Sequence, residues 1–248
     1  MTGKVSGNLN DQRLEELDLY SYVLTHSSDS RNFVAIGKIP LNLGGSFQVL
    51  ISIVNPINWL FAGRNGLDSD VKVSNGFATT GGLFSRVSTL TFFDEHNRQT
   101  SSVRIRQEFL GLDSESKEVT VNTDIDGTLP NIDSDAQIVF RDYKQEYNHY
   151  GKGSVRSVGE ISYEVTSTQN SQTFTSYKIH YSDEITFSEC QHLADHGPVS
   201  LKVSSKRVYI RFTKGDNLVR FSSANYIYPG GKLLIFYKKL IRIKTFFT

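Results

Sequence analysis

The sequence predicts an all-β protein whose strands form a barrel or a sandwich. Apolar and polar residues alternate with a period of two through residues 103–109, 119–126 and 207–212, as expected for strands with one buried and one solvent-facing side. Turn signals rich in glycine separate such segments, for example at Gly81-Gly82 and Asp126-Gly127. Many closely spaced strands are typical of these two architectures.

Residues 55–63 break the alternation and predict one short helix. Asn55 is a candidate N-cap, Pro56 suits the first helical position and Gly63 suits the end. A helix that is apolar on nearly all sides must be enclosed, and a large barrel is the structure that encloses a helix in an all-β chain. The apolar residues that surround this helix are Ile57, Trp59, Leu60 and Phe61.

Length and composition describe one ordinary globular domain with a substantial core. All-β barrels of 248 residues are commonly a single domain. We expect the barrel at residues 1–231, followed by a basic, apolar tail at residues 232–248. The formal net charge is +1, but the tail holds five basic residues and no acid, so the body is net acidic. This charge distribution disfavours nucleic acid as a partner.

The sequence contains no membrane span and no recognisable leader. The apolar run at residues 233–237 is too short to cross a bilayer, and both a membrane-surface segment and a variant end of the gene product remain open for the tail. No signal-peptide pattern lies near Met1, so a secreted protein would require this chain to be a piece of a longer one. The single cysteine, Cys190, excludes a disulfide framework or a cysteine-rich zinc site within this chain.

No catalytic motif is present, and the pairs that come closest to one have simpler interpretations. His192 and His196 have a spacing that chelates metals on a helix, but the glycine and proline that follow favour a loop. Cys190 is more simply a small buried thiol. Asp124 and Asp126 share one strand face, which is more typical of a solvated surface than of an acid/base pair. We therefore expect no enzyme activity, no metal and no cofactor.

Ordered landmarks along residues 3–228 resemble the G2 domain of nidogens. Hemicentins carry a similar domain and are the second choice of parent protein. The resemblance implies an eleven-stranded β-barrel around a central buried helix, the architecture shared with green fluorescent protein. Phe61-Ala62-Gly63 lacks the aromatic-glycine pair of a chromophore, so fluorescence is not expected. The landmarks are residues 3–7, 18–23, 35–40, 59–62, 75–82, 107–113, 126–130, 185–190 and 218–221.

Asp18, Tyr20 and Tyr22 occupy alternate positions of one predicted strand, so their side chains share a face. The mainly apolar opposite face, formed by Leu17, Leu19, Ser21 and Val23, is expected to point to the core, which leaves one acid and two tyrosines outside. Exposed tyrosines are favoured contact residues, because the ring buries area while the hydroxyl keeps a hydrogen bond. Cross-strand packing on an ordinary sheet gives the same spacing, so the spacing alone leaves both interpretations open.

The resemblance to nidogen G2 favours the binding interpretation. In that family the matching positions dock the third immunoglobulin-like domain of perlecan, and the resemblance implies collagen IV as a further partner. It also implies a secreted protein of the extracellular matrix, in the basement membrane. Tyr20 stands where the family has a histidine and Phe33 where it has a tyrosine, so we expect an adapted site. The matching positions here are Asp18, Tyr20, Tyr22, Phe33, Asp216 and Arg220.

A second candidate surface consists of arginines that the alternation places outward. If their strands are neighbours, they could bind an acidic polysaccharide such as a glycosaminoglycan. Arginines balanced by acids on a solvated face are the simpler interpretation. The alternative function is therefore a matrix adaptor that binds another matrix protein or a glycosaminoglycan, as in a hemicentin. The arginines are Arg104, Arg106, Arg207 and Arg211.

Overall fold

The computed structural model describes residues 1–26, 29–64, 73–93, 100–166, 174–188 and 200–230, and the elements below belong to these ranges. The helical segments are α1 (Gly44–Phe47), a 3₁₀ turn (Ile51–Ile53), α2 (Asn55–Phe61) and α3 (Gly76–Thr80). The strands are β1 (Thr2–Leu9), β2 (Gln12–Thr25), β3 (Ser30–Ile36), β4 (Gly63–Arg64), β5 (Leu83–Phe93), β6 (Thr100–Leu112), β7 (Val119–Gly127), β8 (Gln137–Phe140), β9 (Tyr143–Gly151), β10 (Ser154–Thr166), β11 (Phe174–Thr186), β12 (Ser200–Thr213) and β13 (Leu218–Gly230).

Eleven of these strands form a closed barrel, which confirms the expected architecture. Around the ring they follow the order β11-β5-β6-β7-β1-β2-β3-β13-β12-β9-β10, and β10 pairs with β11 to close it. β1 and β7 run parallel, whereas the other ring neighbours are antiparallel. Two short strands lie off the ring, β4 beside β13 and β8 beside β10.

The barrel wall buries alternate side chains, as the period of two predicts. On β6, for example, Val103, Ile105 and Phe109 are buried while Arg104 and Arg106 are exposed. Successive side chains of a strand point to opposite faces, so the inward set of each strand meets the central segment. The inward residues and the enclosed helical segments together form one hydrophobic core.

The helix α2 lies inside the barrel, which confirms the enclosed-helix prediction. Trp59 is 1% exposed and packs edge-to-face on Phe84, with ring centroids 5.3 Å apart. The indole also lies against Gly76 of α3, where a Cβ atom would come within 2.3 Å of the ring. A glycine at residue 76 therefore lets the two helices approach each other inside the core.

The predicted ends of α2 are wrong. Val54 is the N-cap, Asn55 is the first helical residue and Gly63 lies in β4 beyond the helix. The Asn55 side chain makes no capping bond; its Oδ1 accepts a hydrogen bond from the hydroxyl of Tyr143 at 2.7 Å. Burial explains the difference, because the buried amide oxygen needs a hydrogen-bond donor and finds it on the facing barrel wall.

A second asparagine gives α2 a polar side that the sequence pattern did not indicate. Asn58 is fully buried, and its Oδ1 accepts hydrogen bonds from Asn32 at 2.6 Å and from Ser223 at 3.3 Å. Its Nδ2 donates to Ser205 at 3.0 Å. These bonds attach the helix to β3, β13 and β12, so the amide is satisfied and fixes the position of the helix.

A fully buried ion pair joins β5 to β11. Arg86 Nη2 lies 2.8 Å from Asp183 Oδ1, and neither side chain is exposed. The same guanidinium donates to Gln107 Oε1 at 2.7 Å and to Ser52 Oγ at 2.6 Å, while Asp183 accepts from Ser88 Oγ at 2.6 Å. A buried charge is tolerated when it is paired and hydrogen-bonded in this way.

Two buried phenols lie close to these polar clusters. Tyr143 is hydrogen-bonded to Asn55, and Tyr147 lies against Trp59 with ring centroids 5.9 Å apart. Burial raises the pKa of Tyr143 and the pKa of Tyr147 above the ordinary value of a phenol, because the charged phenolate is poorly solvated there. Both side chains therefore remain neutral in the folded barrel over a wider pH range than a free tyrosine.

Some sequence predictions fall outside the described residues. Cys190, the pair His192 and His196, and the tail at residues 232–248 are among them, so these stay predictions. Among the helices that the structure describes, none has both the length and the apolar character needed to cross a bilayer.

Candidate protein-binding wall

The six predicted contact residues lie on one side of the barrel, because β2, β3 and β13 are neighbours in the ring. Tyr20 and Tyr22 are exposed, and Phe33 is half-buried beside them. The outward direction that the alternation predicted is confirmed; a role in binding stays a prediction. We call the set the outer wall: Asp18, Tyr20 and Tyr22 on β2, Phe33 on β3, Arg220 on β13 and Asp216 in the turn before β13.

Strand register places outward residues of neighbouring strands side by side, in lateral rows that run across the strands of the outer wall. Tyr20 is paired with Ala35 of β3, and Ala35 is paired with Arg220 of β13. In the next outward row Tyr22 is paired with Phe33. Residues directly opposite on antiparallel strands have Cβ atoms about 5 Å apart, so side chains distant in sequence become neighbours on this surface.

Tyr22 and Phe33 form the aromatic centre of the outer wall. Their rings are stacked, with centroids 4.7 Å apart and an interplanar angle of 12°. Tyr22 nevertheless remains 59% exposed, and Tyr20 is 56% exposed. Cross-strand packing accounts for the stacked pair, but none of the ring contacts among the described residues involves Tyr20. Ring stacking within the sheet therefore accounts for the position of Tyr22 but not for that of Tyr20.

Asp18 is part of an ion cluster rather than an isolated acid. Its Oδ1 lies 2.6 Å from Lys4 Nζ, and its Oδ2 lies 2.9 Å from Lys38 Nζ. The hydrogen bond from Lys4, followed by that from Lys38, lowers the pKa of the Asp18 carboxyl below its ordinary value. A partner would therefore meet two ammonium groups together with one carboxylate. Sequence reasoning missed both lysines, since their proximity depends on how β1 and the β3–α1 connection pack against β2.

Arg220 is oriented by the turn that precedes its strand. Its Nη1 donates to Thr213 Oγ1 at 3.0 Å, and its Nη2 lies 3.4 Å from Asp216 Oδ2. The side chains of Arg220 and Asp216 are 49% and 58% exposed, so water screens this ion pair. Arginine has five N–H donors, and these contacts leave some of them available to a partner.

The four arginines of the second candidate surface do not lie on neighbouring strands, so the condition for one polyanion site is not met. Arg104 and Arg106 are on β6, whereas Arg207 and Arg211 are on β12, and four ring strands separate β6 from β12 along the shorter path. The alternation fixes which side of a strand a residue faces, but not which strands pair. Arg106 also lies 2.9 Å from the carboxylate of Asp124, as expected for a balanced, solvated face.

Comparison with known proteins assigns the barrel to a family. The sequence model of the G2-F domain matches residues 1–194. The chain belongs to the G2-F domain family. It is 29% identical to Nidogen-1 of Homo sapiens over 219 residues, which cover 87% of this chain and 16% of that protein. It is 28% identical to Hemicentin-1 of Homo sapiens over 155 residues, which cover 62% of this chain and 3% of that protein. The chain thus spans a small part of the length of these relatives.

Solved structures give the same assignment. Domain G2 of mouse nidogen-1 superposes with a TM-score of 0.77 at 26% identity, covering 93% of this chain and 87% of that one. A GFP-like protein from the marine copepod Chiridius poppei superposes with a TM-score of 0.62 at 13% identity, covering 93% and 96%. The second likeness concerns the fold alone.

The chemical groups of the outer wall of this G2-F domain suit recognition of a surface. Rings, guanidinium and ammonium groups supply contact area and hydrogen-bond donors on rigid strands. Within the described ranges, no three histidine, cysteine, aspartate or glutamate side chains are grouped closely enough to hold a metal ion. The family match includes Asp18, Tyr20, Tyr22 and Phe33, and it ends before Asp216 and Arg220.

Proposed function

We propose that this G2-F domain is a non-enzymatic extracellular matrix module that docks the third immunoglobulin-like domain of perlecan, and collagen IV, on its outer wall. The parent protein is then a secreted component of the basement membrane. The observation that carries the proposal is the convergence on one side of the barrel of six residues, scattered in sequence from Asp18 to Arg220, two of which are exposed tyrosines. The similarity to nidogen-1 and hemicentin-1 supports a matrix role.

The composition of the outer wall agrees with what dominates binding energy at protein interfaces. A few tyrosine, tryptophan and arginine residues usually account for most of the affinity. Tyr22 is held in place by the ring of Phe33, and Arg220 is oriented by Thr213 and Asp216. Side chains that are ordered before binding lose less conformational entropy when a partner docks, which favours affinity.

The charged margin of the outer wall would act mainly on specificity and on the rate of association. This margin consists of Asp18 with Lys4 and Lys38, and of Asp216, and these side chains are exposed enough for their fields to reach an approaching protein. Complementary charges at an interface rim steer encounter and disfavour wrong partners more than they add affinity. We therefore expect association with perlecan to slow as the salt concentration rises.

The experiment is a biosensor titration against the immobilised perlecan domain. Tyr22→Ala and Arg220→Ala should each reduce binding by about 2 kcal/mol or more, since both residues are at the centre of the proposed contact. Folding stability should change by less than about 1 kcal/mol, because both side chains are exposed and Tyr22 loses only a surface stack. Arg104→Ala, on the exposed face of β6, is the control and should leave binding unchanged.

Wild-type affinity for both Tyr22→Ala and Arg220→Ala would refute the outer wall as the docking surface. Tyr20→His, which restores the family residue, should preserve or strengthen binding. Parallel titration with collagen IV shows whether the same residues serve both partners. A partner that binds equally well to every variant uses another part of the barrel.

A further inference from the structure

The lateral rows of the outer wall continue onto β12. Ser222 of β13 is paired with Phe33 on one side and with Tyr209 of β12 on the other, so Tyr209 lies in the same row as Tyr22. Tyr209 is 49% exposed. Only the small serine separates it from the stacked pair, and the row therefore has an exposed tyrosine at each end.

The neighbouring row brings two positive charges together. Arg211 of β12 is paired directly with Arg220 of β13. Like charges at directly opposed positions of a sheet are destabilising, so this pair has a cost in the free domain. Arg220 is partly compensated by Asp216, but no ion pair among the described residues involves Arg211. An anion placed between the two guanidinium groups would relieve the repulsion.

The carboxylates at the margin of these rows are already occupied. Asp18 is bound by Lys4 and Lys38, and Asp216 is bound by Arg220. On the opposite margin, the outward positions of the next row are Leu24, Arg31 and Lys206. Arg31 lies 3.9 Å from the carboxylate of Asp29, whereas Lys206 forms no ion pair among the described residues. The surface around the aromatic row therefore has more cations than acids to neutralise them.

We propose that Tyr209 and Arg211 extend the outer wall onto β12, and that the protein surface which docks there presents carboxylates to Arg211 and Arg220. The proposal rests on the proposed function, because it adds a fourth strand to the same docking surface and gives the partner a charge. A protein surface is favoured over a sulfated polysaccharide because the centre of the patch is aromatic. Tyrosine rings contribute most where a fitted partner excludes water from them.

The first test uses the perlecan immunoglobulin-like domain as the probe. Tyr209→Ala and Arg211→Glu should each weaken its binding about tenfold or more at low salt. The effect of Arg211→Glu should shrink at high salt, since screening reduces charge repulsion. Arg104→Glu makes the same charge reversal on β6 and should leave affinity unchanged. Melting curves check that each variant is folded, as expected for exposed positions.

Tyr22→Ala separates this inference from the proposed function. If Tyr22→Ala weakens binding while Tyr209→Ala and Arg211→Glu do not, the outer wall ends at β13 and the extension is refuted, although the proposed function stands. If the wild-type domain does not bind perlecan at all, the proposed partner is wrong, and the second test decides whether this surface prefers acidic peptides.

The second test maps backbone amide NMR shifts while an oligo-glutamate peptide is titrated into the domain. We expect shifts concentrated at Tyr209, Arg211 and Arg220, lost in Arg211→Glu and retained in Arg104→Glu. Shifts spread equally over β6 and β12, or no shifts, would overturn the proposal. A heparin oligosaccharide is titrated in parallel, and a response to heparin without a response to oligo-glutamate would also overturn it, in favour of a polysaccharide ligand.

Discussion

Removing one partner of the buried ion pair should destabilise the barrel severely. In Arg86→Met the carboxyl group of Asp183 would be left in the core without the guanidinium that now lies 2.8 Å away. Ser88 and Gln145 would still donate to it, but neutral donors do not replace a full positive charge. Breaking a buried pair on one side typically costs about 3–5 kcal/mol, and we expect Arg86→Met to fall in that range.

The barrel contains a matched control for this change. Arg106 lies 2.9 Å from Asp124, almost the same separation, but these side chains are 48% and 45% exposed. Water solvates the remaining carboxylate when Arg106 is replaced, so Arg106→Met should lower stability by less than about 1 kcal/mol. Since the two ion pairs have nearly the same chemistry and distance, the difference between the variants reports the burial of the Arg86 pair together with its buried hydrogen bonds to Gln107 and Ser52.

Urea unfolding, monitored by circular dichroism and by the fluorescence of Trp59, the single tryptophan, gives the free energies of unfolding of the Arg86→Met and Arg106→Met variants. The double variant Arg86→Met with Asp183→Leu should lose less than the sum of its two single changes, because no unpaired charge is left in the core. Equal losses for Arg86→Met and Arg106→Met, or strictly additive losses in the double variant, would refute this reasoning.

Three further predictions concern the barrel interior. Trp59→Ala should lower the free energy of unfolding in urea by about 3–5 kcal/mol, and the wild-type Trp59 should show blue-shifted emission. A loss of only about 0.3 kcal/mol would contradict the enclosed helix. Gly76→Ala should cost about 1–3 kcal/mol because its Cβ would clash with the indole, whereas Gly151→Ala, whose Cβ meets nothing within 4 Å, should stay within about 0.5 kcal/mol in the same assay. Burial raises the pKa of Tyr143 and Tyr147, so above a pH of about 10 the folded state keeps phenol protons that the unfolded state loses, and the free energy of unfolding should fall as pH rises. Phenolate absorbance from Tyr143 and Tyr147 at a pH of about 10, in a barrel that is still folded, would contradict this prediction.

The all-β class and the enclosed helix could be predicted from local sequence patterns, whereas the eleven-stranded barrel was implied by the family resemblance. The period of two identified the inward residues of β6 and β7, and the apolar surroundings of Trp59 indicated that its helix is enclosed. Arg86 could not be predicted in this way. It occupies an inward position of β5, and its partner Asp183 lies 97 residues further along the chain. Local pattern carries no information about which distant residue compensates a buried charge.

The candidate site shows the same limit. Alternation gave the outward direction of Tyr20 and Tyr22, but the pairing of β2, β3 and β13 depends on long-range register. For this reason Tyr209 was missed although it lies in the row of Tyr22, and Arg211 was grouped with Arg104 on a distant strand. The family resemblance, and not residue spacing, predicted that residues from these three strands form one surface.

Hydroxyl-radical footprinting of the complex tests the outer wall most directly. Tyr20, Tyr22 and Tyr150 are 56%, 59% and 64% exposed, so all three should be oxidised at comparable rates in the free domain. Tyr150 belongs to β9, outside the outer wall, and serves as the internal control. With saturating perlecan domain, we expect protection of Tyr20 and Tyr22 and unchanged oxidation of Tyr150. Unchanged oxidation of Tyr20 and Tyr22 in a saturated complex would contradict docking on the outer wall.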